Sequence, residues 1–143
     1  MHTMIYVNLP VADVARSRAF FSDLGYTFNE AFSDDNAVSL ILGENIVAML
    51  LRRDYFDTFH PASTADATTT KECIVCLDAD SRDGVDALVD RAIAAGATAG
   101  DTEDHGFMYG RSYSDLDGHS WQIMWMDPTA AAGAEPTQGA AQG

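Results

Sequence analysis

The chain has 143 residues, 47% of them hydrophobic, which suits one domain or two small modules sharing a core. With 22 acidic against 8 basic residues, its formal charge is −14. No basic cluster is present, so nucleic acid is excluded as a partner, and the charge repels anionic membrane surfaces. Solubility accounts for such a charge; steering of a cationic ligand is the sharper alternative. No stretch approaches the roughly 18 apolar residues of a membrane span, and the start lacks a basic n-region. A cytoplasmic protein is expected.

Met4 to Leu9 is a short apolar run closed by Pro10, and reads as a strand. Asp13 suits a helix N-cap. Val14, Phe20, Phe21 and Leu24 form a helical apolar stripe, and Gly25 fits the position past the helix end. Strand-like segments follow at Tyr26 to Ser33, Ala37 to Leu42 and Ile46 to Leu51. Asp34-Asp35-Asn36 and Gly43-Glu44-Asn45 supply the turns. This β-α-β-β-β order defines a first module over residues 1–52.

Residues 53–70 read as a linker in which Asp54 to Phe59 could form a short helical turn. The order then recurs over 71–128. Cys73 to Leu77 reads as a strand. Asp80 or Ser81 caps a helix striped by Val85, Leu88, Val89, Ala92 and Ile93, and Gly96 ends it. Strands follow at Ala97 to Thr102, Phe107 to Tyr113 and His119 to Met126. The last two flank a tight turn, Asp115-Leu116-Asp117-Gly118, where glycine takes positive φ at little cost. Residues 129–143 are Ala-, Gly-, Thr- and Gln-rich with no apolar period, and are expected to be disordered. The fold class is α+β, two tandem βαβββ modules repeating in pattern rather than in letters.

These modules resemble the vicinal oxygen chelate superfamily, which contains glyoxalase I, extradiol dioxygenases and bleomycin- and fosfomycin-resistance proteins. Asn8-Leu9-Pro10-Val11-Ala12-Asp13, Phe20-Phe21, Leu24-Gly25-Tyr26 and the hairpin from His105 to Asp127 carry the resemblance. These segments look like those of small bacterial members of the predicted lactoylglutathione lyase type. The resemblance implies a curled mixed sheet forming a cup, helices on the outside, a small-molecule ligand and a homodimer.

Metal-dependent members carry a His on the first strand and a Glu on the last strand of a module. Counting from the helix caps places these positions at Tyr6, at Met49 or Leu50, at Cys73 (or Glu72) and at Gln122. Tyr6, Leu50, Cys73 and Gln122 make a poor set for a hard divalent metal. No metal or other cofactor is therefore expected. Cys73 and Cys76, three apart on one strand, point to opposite faces and are not expected to pair. His2 and His60 sit in a terminus and a linker, while His105 adjoins Tyr109 and Arg111 in sequence and has the best claim among the histidines. Trp121 and Trp125 are expected in the core.

The residues expected at the ligand are thus Tyr6, Asn8, Leu50, Cys73, His105, Tyr109, Arg111 and Gln122. Aromatic and amide side chains suit stacking and hydrogen bonding, so metal-independent binding of an antibiotic or metabolite is the expected function. The alternatives are a metal-dependent lyase or dioxygenase and a non-catalytic interaction module.

Overall fold

Asp13 and Ser81 start the two long helices. The Asp13 carboxylate accepts from the Arg16 backbone N–H at 3.0 Å, and the Ser81 hydroxyl accepts from that of Gly84 at 2.9 Å. Gly25 and Gly96 end them at φ +100 and +116, as a helix stop requires. The computed structural model describes residues 1–130. Its elements are β1 (Ile5–Val11), α1 (Val14–Asp23), β2 (Thr27–Phe28), β3 (Ala37–Gly43), β4 (Ile46–Arg52) and α2 (Arg53–Phe56). The second module holds β5 (Ile74–Asp78), α3 (Arg82–Ala94), β6 (Thr98–Asp104), β7 (Met108–Ser114) and β8 (Ser120–Met126). Apart from its first two residues, the expected disordered tail lies outside the described residues.

The modules form two four-stranded mixed sheets, ordered β1-β4-β3-β2 and β5-β8-β7-β6, neither closed into a barrel. Each first strand pairs in parallel with the last strand of its module, and the remaining pairs are antiparallel. The strand expected over Tyr26 to Ser33 is cut short. The Asn29 side chain accepts from the Ala31 N–H at 3.1 Å and starts a 3-10 turn at Glu30–Phe32. A short polar side chain here offers the backbone a local alternative to the ladder.

One core serves both modules. Phe20 and Phe21 of α1, Leu24 at its end, and Val85, Val89 and Ala92 of α3 pack with Leu9, Val38, Leu40, Trp121 and Ile123. The Phe21 ring lies 5.4 Å from Trp121 and the Phe20 ring 6.2 Å from Tyr113, so α1 packs on the other module's sheet. Trp121 is fully buried, as its sequence predicts. Leu50 is also fully buried and pairs with Leu9, facing the helices. That corrects its expected place at a ligand: strand alternation gives the opposite face to Met49.

The β7–β8 turn ties the modules together. Asp117 accepts from the Ala12 N–H at 2.8 Å and from the Ser17 hydroxyl at 3.3 Å. His119 Nε2 lies 2.6 Å from the Pro10 carbonyl, which can only accept, so that nitrogen carries the proton. Lys71, just past the linker, donates to the Gly118 carbonyl.

A polar cluster fixes α3 on its sheet. The Tyr109 hydroxyl donates to Asp86 at 2.6 Å, and Arg111 donates to Asp86 and Asp90, both at 3.0 Å. Arg82 lies over the Tyr109 and Trp125 rings and donates to Asp104 at 2.8 and 3.0 Å. The Arg82 bonds, aided by the Gly106 N–H, hold the Asp104 carboxyl down at about 2. Its folded pKa is depressed, so the clamp is intact above the ordinary carboxylate range and is lost as pH falls through about 2. A carboxyl NMR titration should find Asp104 at that value, moving up toward the ordinary range in Arg82→Ala. A wild-type titration in the ordinary range would contradict the bond.

Candidate functional site

Leu9 and Val11 face the core, so Tyr6, Asn8 and Pro10 face away from the helices. Buried Trp121 and Ile123 likewise leave Ser120, Gln122 and Met124 on the open face of the second sheet. Register then matches the two modules. Asn8 pairs with Met49 and Cys76 pairs with Gln122. Asn8 and Cys76 stand the same distance before their helix caps, Asp13 and Ser81. The structurally equivalent positions are therefore Asn8, Met49, Cys76 and Gln122.

Three cavities border these faces. One of about 350 Å³ on the first sheet is lined by Asn8, Met49 and Leu51 with Phe32, Tyr55 and Phe59. One of about 180 Å³ on the second sheet is lined by Gln122, Ser112, Ser120, Ile74, Asp101 and Glu103. The largest, about 550 Å³, lies beneath the linker where the modules meet. Asn8, Pro10, Phe56, His60, Cys73, His119 and Ser120 line it. Asn8 thus borders both the first and the largest cavity, and Ser120 both the second and the largest. Volumes of this order suit small-molecule sites.

The expected site residues divide. Tyr6, Asn8 and Gln122 lie on the open faces, and Tyr6 is 59% exposed. Cys73 precedes β5, is exposed and lines the junction cavity; Cys76 holds the strand position on the open face. Both thiols are free, as expected. Desolvation first, and the Asp78 carboxylate second, raise the Cys76 thiol above its ordinary pKa.

Tyr109 and Arg111 turn their side chains the other way, although Arg111 also borders the cavity of about 180 Å³. They share the face of buried Tyr113, and their polar ends bond α3 through Asp86 and Asp90. The sequence showed them near His105 but not that α3 offers two acids one turn apart. His105 is exposed in the β6–β7 hairpin, where its N–H donates to the Met108 carbonyl. It borders none of the three cavities.

Sequence reasoning missed His60, Phe32, Tyr55 and Phe59. His60 Nδ1 accepts from the Ala62 N–H at 3.1 Å, so Nε2 donates to the Thr64 hydroxyl at 3.0 Å. Thr64 in turn donates to Asp57. This chain of bonds holds the linker over the junction cavity. The Asp54-Tyr55-Phe56-Asp57-Thr58-Phe59 run was the available signal: three aromatics in a polar stretch.

The four equivalent positions correspond to those that hold a metal in metal-dependent proteins of the resembled family. They offer two amides, a thioether and a thiol held in its protonated form, with no carboxylate or imidazole. This set does not fit a hard divalent ion. Among the described residues, no group of three or more His, Cys, Asp or Glu side chains is placed to hold one.

Comparison with known proteins places the fold. A family model described as bleomycin resistance protein-like N-terminal matches residues 3–41. A hypothetical protein from S. aureus is similar over 87% of this chain and 95% of its own, at 25% identity and TM-score 0.75. A glyoxalase/bleomycin resistance protein/dioxygenase family enzyme from Burkholderia phytofirmans matches over 85% and 96%, at 20% identity and TM-score 0.72. A fosfomycin resistance protein from Mesorhizobium loti matches over 92% and 98%, at 10% identity and TM-score 0.67. No curated protein matches the chain. The chain has the fold of the vicinal oxygen chelate superfamily. No helix among the described residues is long and apolar enough to cross a membrane.

Proposed function

We propose that the protein binds a small organic molecule, an antibiotic or a metabolite, on its open sheet faces without a metal or other cofactor. The observation that carries this reading is the chemistry of Asn8, Met49, Cys76 and Gln122. These side chains stack and hydrogen-bond; they do not ligate a Lewis acid. The match to a bleomycin resistance protein-like family model and the similarity to a fosfomycin resistance protein support the ligand class.

The protein acts as a homodimer. Strands β1 and β5 are sheet edges with exposed Ile5, Tyr6 and Ile74, at 53%, 59% and 61%. Open apolar edges are blunted in most proteins, and a second copy covers them here. It also closes an open face into a cup. Two free thiols suit a reducing compartment, the cytoplasm.

The test joins metal analysis by mass spectrometry, light scattering for mass, and a thermal-shift screen of natural products. Apo, dimeric protein stabilised by a ligand is expected. In Gln122→Ala that ligand should bind about tenfold more weakly, the equivalent of one buried hydrogen bond, with the melting temperature little changed. A stoichiometric metal that leaves with Cys76→Ala would overturn the reading and favour a lyase or dioxygenase.

A further inference from the structure

The geometry points to a specific ligand class for the first sheet's open face: a planar aromatic cation, held against Phe32, Tyr55 and Phe59 beside Asp34. This deepens the proposed function and rests on it, since the cavity of about 350 Å³ is one of those faces.

The aromatic side chains come first. Phe32 is 69% exposed, Phe59 64% and Tyr55 36%, yet all three border one cavity. Exposed aromatics gathered around a concavity mark a recognition surface more often than scattered ones do. The Tyr55 and Phe59 rings meet edge to face at 5.1 Å. Among the described residues Phe32 has no aromatic partner, so its faces are free for a ligand ring.

The backbone beneath these rings is fixed by local bonds. Asn29 caps the turn that carries Phe32, and the Ser33 hydroxyl donates back to the Asn29 carbonyl at 2.7 Å. The Thr58 hydroxyl donates to the Tyr55 carbonyl at 2.7 Å. A pre-set platform loses little entropy when a flat ligand docks. Met49 and Leu51 form an apolar floor, and thioethers make favourable contacts with aromatic rings.

The charge then selects the ligand. Asp34 is the lone charged residue lining the cavity. Its Oδ1 accepts from the Asn36 and Ala37 N–H groups at 2.8 and 3.1 Å, and no salt bridge among the described residues reaches it. The guanidiniums bordering the adjoining cavity, Arg18 and Arg52, are paired with Glu30 and Asp54. An anion would find no free donor of positive charge there. A cation gains the aromatic quadrupoles, the Asp34 carboxylate and the long-range field of a chain carrying −14.

Proflavine, a tricyclic cation, tests this in the full-length protein by fluorescence and calorimetry. Acridine at a pH where it is neutral, anthracene-9-carboxylate and tetramethylammonium are the comparison probes. Proflavine is expected to bind one site at least about tenfold more tightly than each of these, and more weakly as salt rises. Phe59→Ala should weaken it about tenfold or more while leaving the melting curve in place, since the ring is exposed. Asp34→Asn keeps an oxygen for the turn and should weaken it severalfold.

Five results would overturn the inference. Unchanged affinity in Phe59→Ala means the dye reads net charge alone. Acridine binding as tightly as proflavine removes the cation. Tetramethylammonium binding equally well removes the planar ring. Failure of every probe, with Phe59→Ala turning a dimer into a monomer, assigns the face to a second copy. A screened ligand that is lost in Gln122→Ala while proflavine fails would sink this class yet leave the proposed function standing.

Discussion

Asp115→Ala should cost about 4 kcal/mol of stability, the largest loss expected from any polar side chain here. Asp115 is buried, and its carboxylate takes bonds from three donors. Oδ1 accepts from the Asp117 and His119 N–H groups at 2.9 and 3.0 Å, and Oδ2 from the Trp121 indole at 2.9 Å. Alanine would leave the indole N–H of a fully buried tryptophan without an acceptor. It would also release the turn through which Asp117 and His119 hold the first module. A chain of this length should melt about 10 °C lower. A loss below about 1 kcal/mol in urea denaturation would show that the turn holds its shape without the carboxylate.

The same side chain should leave a mark on the pH dependence. Burial pushes the Asp115 carboxyl up, against the opposing pull of His119 and its donors. A raised folded pKa means the native state holds the proton more tightly than the unfolded chain does. That contribution is full below the ordinary carboxylate pKa and is lost as pH rises through the folded value. Asp86 and Asp104 have depressed pKa values and act with the opposite sign, at lower pH. The Asp115 signal is thus confined to the window just above the ordinary range, where Asp115→Asn should flatten the fall in stability with pH. An unchanged slope there would assign the fall to other groups.

The legibility of this chain differed between its layers. The Asp13 cap, both stop glycines, the linker helix and the tandem module order could be read directly, and the second cap to within Asp80 or Ser81, because each depends on residues within a few positions of one another. The site was less legible for the same reason turned around. Leu50 and Met49 are neighbours with equally apolar side chains, and only the pairing of Leu9 with Leu50 tells which faces the helices. Cys73 and Cys76 pose the same problem: the strand begins at Ile74, which gives the open face to Cys76. Tyr109 and Arg111 read as ligand contacts because their acids, Asp86 and Asp90, lie on another element. Phe32 is distant in sequence from Tyr55 and Phe59 and meets them only when the linker folds over the first sheet.

Gly118→Ala should destabilise the protein by about 3 kcal/mol, and Gly106→Ala by only about 1 kcal/mol. The two glycines have nearly the same backbone, φ +86 and +83, so any side chain pays the same conformational strain at either. They differ in what a Cβ would meet. At Gly106 nothing lies within 4 Å. At Gly118 the Thr68 nitrogen would lie 2.8 Å away and the Ala67 carbonyl carbon 2.9 Å away. Both are backbone atoms, so no rotamer change relieves the clash and the linker itself must lift. Lifting it would break the bond from Lys71 to the Gly118 carbonyl and open the cavity that Ala67, Lys71 and His119 line together. Gly118→Ala should therefore combine a lower melting temperature with rapid proteolysis between residues 60 and 70, while Gly106→Ala stays resistant. Equal losses in the two variants would mean that the linker does not rest on the turn, and that glycine is kept at Gly118 for its backbone alone.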